Sequence, residues 1–324
     1  MRLNTQIAAL AVVVIIAIGT AVLPAMADTG GTSTGSFDLG NAAPSVTGIS
    51  APNTFTPQLH NWLVMDISDA NTLNDIKEVQ VIIKTNTTST SADDNVTDKA
   101  TYRWTPTGNW SLVGPTNSTW GFDKTMSDVN PTDLGATAGT WYLLFIPGKV
   151  ARESNAWDIY VKVTDKGGLT GDNISWGHTM NWYGEISAED TSYSFGDIGL
   201  GDADKPISTP PDGNIDVKTI SNGNYKLSSK SGNWTNESNV AVLDWDGTLD
   251  AGHFALNVDG NGTVDTFNYV NDSYEAITDY NNVNAPTAED GDIKEIYQWI
   301  SVADSGLLPG TYNGTYYVQI ADAA

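Results

Sequence analysis

The chain contains no cysteine. That removes disulfide bridges, thiolate metal sites and a lipid-modified cysteine, leaving burial of apolar surface to hold the fold together. Length permits this, because 324 residues can build one or two hydrophobic cores without staples. Histidine is nearly as scarce, represented by His60, His178 and His253 alone. No H-E-x-x-H or comparable spacing joins them, which argues against a zinc or iron centre and leaves each as an isolated surface histidine. Basic residues are few: 15 Lys plus Arg face 39 Asp plus Glu, for a formal charge of −24. A surface of that sign repels nucleic acid and anionic lipid, and it suits cations. Among 39 acidic side chains some pair will always lie close, so proximity alone says nothing about glycoside hydrolysis. The stretch "GTSTG", residues 31–35, has the G-x-S-x-G spacing of serine hydrolases but sits in a linker with no strand-to-helix turn, so it is set aside. The chain reads as a non-enzyme with no catalytic residue.

Only one run is long and apolar, residues 7–23. Arg2 precedes it, and "AMA", residues 25–27, supplies small residues for signal-peptidase cleavage before Asp28. Residues 1–27 are therefore expected to be a signal peptide, with the mature chain outside the cell or at its surface and no stable membrane span after cleavage. The alternative is a retained anchor, since 17 residues is the lower limit for crossing a ~30 Å hydrocarbon core.

Long amphipathic helical patterns are missing too; "TLNDIKEV", residues 72–79, has room for one turn. What is present is period two. In "WDIYVKVTD" Trp157, Ile159, Val161 and Val163 point one way, while Asp158, Tyr160, Lys162 and Thr164 point the other, as in a half-buried antiparallel strand. "EVQVII" (78–83) and "TWYLLFI" (140–146) are apolar enough for a sandwich core. Eight of the 11 Trp lie at or before Trp182, and the second half has its own strand-like runs. The expectation is all-β: a flexible arm over residues 28–43, an immunoglobulin-like β-sandwich over 44–184 and a second β-sandwich over 185–324. Trp141 and Trp157 alternate with apolar neighbours as core residues do. Trp110 and Trp234, each in a "GNW" triplet, are placed near turns. Exposed aromatics would instead offer platforms for carbohydrate.

Asn86, Asn95, Asn109, Asn117, Asn173, Asn233, Asn236, Asn261, Asn271 and Asn313 each begin N-x-S/T without an intervening proline. Composition alone would give about five such sites, and in an exported chain the excess points to N-glycosylation. Asn313 is expected to face solvent, because Tyr312, Tyr316, Val318 and Ile320 occupy the other face of "TYNGTYYVQI".

Two groups offer only oxygen ligands, the chemistry of calcium. The first is Asp66, Asp69, Asn71 and Asp75, with Asp165 able to approach from another strand end; Asx-turns and caps are the stronger reading of this group and calcium the lesser one. The second is "NVDGNGTVDTFN", residues 257–268, where Asp259, Asn261 and Asp265 fall at calcium-loop positions. That loop opens with Asn257 and closes with Asn268 in place of the bidentate Glu, so a hairpin around "DGNG" is the stronger reading and calcium the lesser one.

"NAAPSVTGIS", "WLVMDISDANTLNDIKEVQVIIK" and "AWDIYVKVTDKGGLTGD" resemble an immunoglobulin-like module of secreted archaeal surface proteins. "SFGDIGLGD", "NGNYKLS" and "LLPGTYNGTYYVQI" resemble the β-sandwich modules that follow it in such chains. The resemblance covers most of residues 44–324 and implies a structural role at an S-layer or extracellular filament. Partners would be further copies, other cell-surface proteins or carbohydrate. It transfers no catalytic residue and no cofactor.

Overall fold

The computed structural model describes residues 34–127, 131, 133–264 and 268–323. The signal-peptide expectation, the first part of the arm and Asp265 lie outside the described residues. Helix among the described residues is limited to one turn at Lys124–Ser127 and two 3-10 turns, Leu73–Asp75 and Thr278–Tyr280. The turn expected over 72–79 is thus Leu73–Asp75, and strand begins immediately after it. Everything else regular is β.

Ten strands come from the first half: β1 Ser45–Ser50, β2 Thr54–Phe55, β3 Asn61–Ser68, β4 Ile76–Thr85, β5 Lys99–Thr105, β6 Asn109–Gly114, β7 Gly121–Phe122, β8 Ala138–Ile146, β9 Ser154–Asp165 and β10 Thr170–Met180. They form two sheets, ordered β1-β3-β8-β7 and β2-β10-β9-β4-β5-β6. The inward rows Leu63, Met65 and Ile67 of β3 and Trp141, Leu143 and Phe145 of β8 share one core with Val79, Val81 and Ile83 of β4 and with the four inward residues of β9. Aromatic rings join the layers edge to face, Trp104 on Trp141 at 5.4 Å and Phe55 on Phe145 at 5.2 Å. Each fully buried large side chain contributes about 1.5–3 kcal/mol of transfer free energy, so this row carries the sandwich.

The alternation read for β9 holds on its inner face and fails once on its outer one. Trp157, Ile159, Val161 and Val163 are fully buried, but so is Asp158. The register pairs Asp158 with Lys84, itself buried, at 3.7 Å between Nζ and Oδ2, and the N–H of Gly177 donates to Asp158 Oδ1 at 3.2 Å. A partnered charge can be buried where a lone one cannot. Trp110 pairs across strands with Trp104 and is buried in the core, one residue after the turn that precedes β6.

The second half supplies β11 Gly184–Ala188, β12 Lys205–Pro206, β13 Asn214–Ser221, β14 Tyr225–Ser231, β15 Trp234–Asn236, β16 Asn239–Asp244, β17 His253–Asp259, β18 Glu275–Ala276, β19 Asp292–Val302 and β20 Tyr316–Asp322. One sheet runs β11-β13-β19-β17-β16-β15 with β12 beside β19, and the other runs β18-β14-β20. Between them lies a separate core of Val217, Tyr225, Leu227, Phe254, Leu256, Ile296 and their neighbours, against which Trp234, Tyr316, Val318 and Ile320 pack. Met180 belongs to the first core, and Trp182 already packs against the second. Even so, Asn41–Ala324 holds together as one compact unit.

Asn222 shows how the two cores are joined. Its Nδ2 donates to the carbonyls of Ala151 at 2.8 Å and Asn181 at 2.9 Å, and its Oδ1 accepts from the Tyr183 N–H at 2.6 Å. Glu289 adds a second stitch, accepting from the N–H and the hydroxyl of Thr119, each at 2.6 Å. A third is the ion pair of Lys149 with Glu185 at 2.5 Å. Residues 34–40, taken by themselves, are irregular and exposed, with Phe37 and Leu39 bare to solvent.

Candidate metal centre and surface sites

Strand β3 ends at Ser68 and the chain turns over Asp69–Asp75 before re-entering the opposite sheet as β4. Leu73, buried, anchors this loop, and its N–H donates to the Ala136 carbonyl at 2.8 Å. Register then brings two distant acids together: Ile76, the first residue of β4, pairs with Asp165, the last of β9. Asp75 therefore arrives beside Asp165. Asp69 completes the group, and one carboxylate oxygen from each of the three lies within 4.8 Å of the others.

Asp165 is fully buried and Asp69 almost so, at 2% exposure, while Asp75 is half-buried. Asp165 Oδ1 accepts from the Leu169 N–H at 2.8 Å and its Oδ2 from Asn41 Nδ2 at 2.9 Å. Asp69 Oδ1 accepts from the Asn71 N–H at 2.8 Å in an Asx-turn, whereas its buried Oδ2 has no hydrogen-bond partner. Both readings of this group therefore meet in one residue: one oxygen makes the turn and the other makes no hydrogen bond. Lys166 sends its Nζ to the Asn74 carbonyl at 2.5 Å and pairs with none of the three acids. Burial, then the charges of Asp75 and Asp165, push the Asp69 carboxyl above its ordinary value, although the Asn71 N–H pulls the other way.

Asp66 and Asn71, read with this group, take other positions. Asp66 is exposed on the outer face of β3 and accepts from the Thr140 hydroxyl at 2.7 Å across the strand pair. Period two explains the correction: Met65 and Ile67 point inward, so Asp66 cannot. Asn71 turns its Oδ1 to the Ala42 N–H at 2.6 Å. Asn41 and Ala42, read as part of the free arm, are thus tied to the acidic loops. Gly167 leaves the space this needs, because a Cβ there would collide with Asn41 Nδ2, and Gly168 takes the turn at φ +87°.

The second acidic stretch is a hairpin. Asn257 bridges Tyr269 in antiparallel fashion, and the N–H groups of Val258 and Val270 donate to the carbonyls of Asn268 and Leu256 at 3.0 and 2.9 Å. The side-chain oxygens that would face an ion serve the turn: Asn257 Oδ1 accepts from the Asn268 N–H, Asp259 Oδ1 from the Asn261 N–H, and Asn261 Oδ1 from the N–H and hydroxyl of Thr263. Among the described residues the second arm contributes the isolated bridge at Tyr269.

Of the three histidines, His60 is exposed and His253 half-buried against Asp244, but His178 is buried. A register shift in β10 between Ser175 and His178 turns the ring inward, where it stacks on Phe55 at 4.8 Å and hydrogen-bonds the Pro52 carbonyl at 2.8 Å. This corrects its reading as a surface residue; its Nε2 lies 3.0 Å from the Ser175 hydroxyl.

No sequon asparagine is buried. Asn86, Asn95, Asn117, Asn233, Asn261 and Asn313 are exposed, and Asn109, Asn173, Asn236 and Asn271 are half-buried. In three of the latter the amide nitrogen is engaged, with the carbonyls of Val46 (from Asn173) and Pro309 (from Asn236) or with Glu275 (from Asn271). A cleft of about 780 Å³ in the second half is lined by Tyr193, Phe195, Trp234, Phe254, Leu308 and Tyr312 among others. No helix among the described residues is long and apolar enough to cross a membrane. Compared with models of known protein families and with curated proteins, the chain finds no match in either.

Proposed function

We propose that this chain is a non-catalytic, N-glycosylated structural component of a cell surface or an extracellular assembly. The observation that carries the reading is the placement of ten sequons over both halves of the molecule, every one of them exposed or half-buried. Asparagines outside the sequons do enter the interior, as Asn61, Asn214, Asn222 and Asn257 do, whereas none that begins a sequon does. Supporting it are the acidic surface, the leader-like residues 1–27, the resemblance to modules of secreted archaeal surface proteins, and the stitching of two sandwiches into one body at Asn222 and Glu289. Export followed by self-association, with the arm adding to an exposed sheet edge of a neighbour, is the working scheme. Intact-mass analysis of the native protein tests it. Masses exceeding residues 28–324 by whole sugars, together with sheets or filaments in electron micrographs, are expected; an unadorned monomer at high concentration would overturn it.

A second reading is a secreted carbohydrate-binding or adhesive module, favoured by the aromatic cleft at Trp234 and Tyr312. It ranks below the first because Trp234 and Phe254 pack on one another at 5.1 Å as part of a core. Retardation of the chain by polysaccharide in affinity electrophoresis, abolished by Tyr312→Ala, would move the conclusion to it.

A further inference from the structure

We propose that Asp69, Asp75 and Asp165 bind one calcium ion, and that the bound ion fastens the root of the N-terminal arm, Asn41 and Ala42, to the first sandwich. Three carboxylates converge without a lysine, arginine or histidine among them, whereas the buried Asp158 is paired with Lys84. Asp69 Oδ2 is the telling atom, buried and without a donor. A buried carboxylate oxygen without hydrogen or counter-ion costs several kcal/mol in principle, and a cation removes that cost.

The chemistry selects the ion. All donors are oxygen, which suits hard cations and excludes a zinc- or copper-type site. Ligands on opposite sides of calcium stand about 4.6–5.2 Å apart, twice a 2.3–2.6 Å bond. One oxygen from each of the three carboxylates lies within 4.8 Å of the others, a spacing inside that span. The ligands come from an irregular loop and a strand end, a setting that tolerates calcium's variable coordination better than the strict octahedron of magnesium.

The arm enters through the same atoms. Asn41 donates to Asp165 and Ala42 donates to Asn71, whose own N–H fixes Asp69. Charge neutralisation at Asp69 and Asp165 thus orders the loop that receives residues 41–42. Binding in dilute solution is independent of any assembly at a surface, so its failure and the failure of the structural reading are separable.

The test uses the full purified chain stripped with chelator, then titrated with calcium chloride by calorimetry and melted with and without the ion. One calcium per chain is expected, with Kd about 10⁻⁴–10⁻³ M, and a Tm rise of about 3–5 °C at tenfold excess over Kd. Asp69→Asn should weaken binding at least tenfold and invert the order of stability. Without calcium it melts at or above wild type, having lost one of three repelling charges; with calcium it melts below. Asp75→Asn, at a half-exposed position, gives the same readout should Asp69→Asn not fold, and Asp259→Asn should bind calcium as wild type does. Calcium should also slow proteolysis at residues 34–44 in wild type and not in Asp69→Asn. No heat of binding and an unchanged wild-type Tm would overturn the site, an equal response to magnesium would overturn the choice of ion, and unchanged cleavage would overturn the fastening of the arm.

Discussion

Replacing Asn222 with alanine should loosen the seam between the two cores. The side chain is 3% exposed and makes three hydrogen bonds, to the Ala151 and Asn181 carbonyls and from the Tyr183 N–H. Each is worth about 1 kcal/mol net, and more where the abandoned partner stays dry. A cleft lined by Arg152, Glu153 and Gly223 adjoins the site and lets water reach it, so the lower figure applies. The expected loss is therefore about 3 kcal/mol, or a Tm lower by about 6–12 °C for a chain of this size. Calorimetry should also show the single transition broadening or splitting, because the seam is what makes two cores melt together. Asn222→Asp is the sharper perturbation: the same shape would turn an oxygen toward two carbonyl oxygens, and the loss should match or exceed that of alanine. A Tm within about 1 °C of wild type for both variants would show that Glu289 and Lys149 hold the cores together without it.

Trp141→Ala removes a fully buried side chain stacked edge-to-face on Trp104; a destabilisation of about 3–5 kcal/mol, read by denaturant unfolding with loss of near-ultraviolet dichroism, is expected. The Asp216 carboxyl is raised from its ordinary value by burial and then by Asp190, Asp212, Glu295 and Glu189. The folded chain thus holds this proton more tightly than the unfolded one, so this group adds stability as pH falls through the window between its unfolded and folded values. Asp216→Asn should raise the Tm at pH 7 and flatten that gain, measured by melts from pH 7 down through the carboxylate range. Peptide mapping should find glycans at the six exposed sequons in preference to Asn173, whose amide nitrogen is held by the Val46 carbonyl. Deleting residues 28–40 should weaken assemblies while leaving the monomer's Tm intact, whereas deleting 28–43 should lower that Tm by cutting the bonds of Asn41 and Ala42.

Period two made the strands legible, and with them the core: Trp157, Ile159, Val161 and Val163 lie where alternation puts them. Alternation describes one strand and not what covers its far side, which is why Asp158 reads as exposed until its pairing with Lys84 is known. His178 escaped for a related reason, since a bulge advances the chain by a residue and reverses the side on which the ring falls. In the acidic group, spacing along the chain grouped Asp69 with Asp75, and the strand end in "VTD" suggested Asp165. Asp66 stands apart, because alternation with the inward Met65 and Ile67 puts it on the outer face of β3. Asn41 left no local signal at all, because its partner stands 124 residues away.

The first and last strands of the compact unit both lie at sheet edges, β1 beside β3 alone and β20 beside β14 alone. Tension applied along the chain would therefore meet two different fasteners. At one end β20 holds an unbroken ladder from Tyr225–Asp322 to Ser231–Tyr316, while β1 holds a ladder interrupted by a bulge between Val46 and Gly48. Under stretch the molecule should yield at β1 first, and the bonds of Asn41 to Asp165 and Ala42 to Asn71 lie immediately upstream of that weaker strand. They act as a strain relief, taking up force before it reaches the ladder.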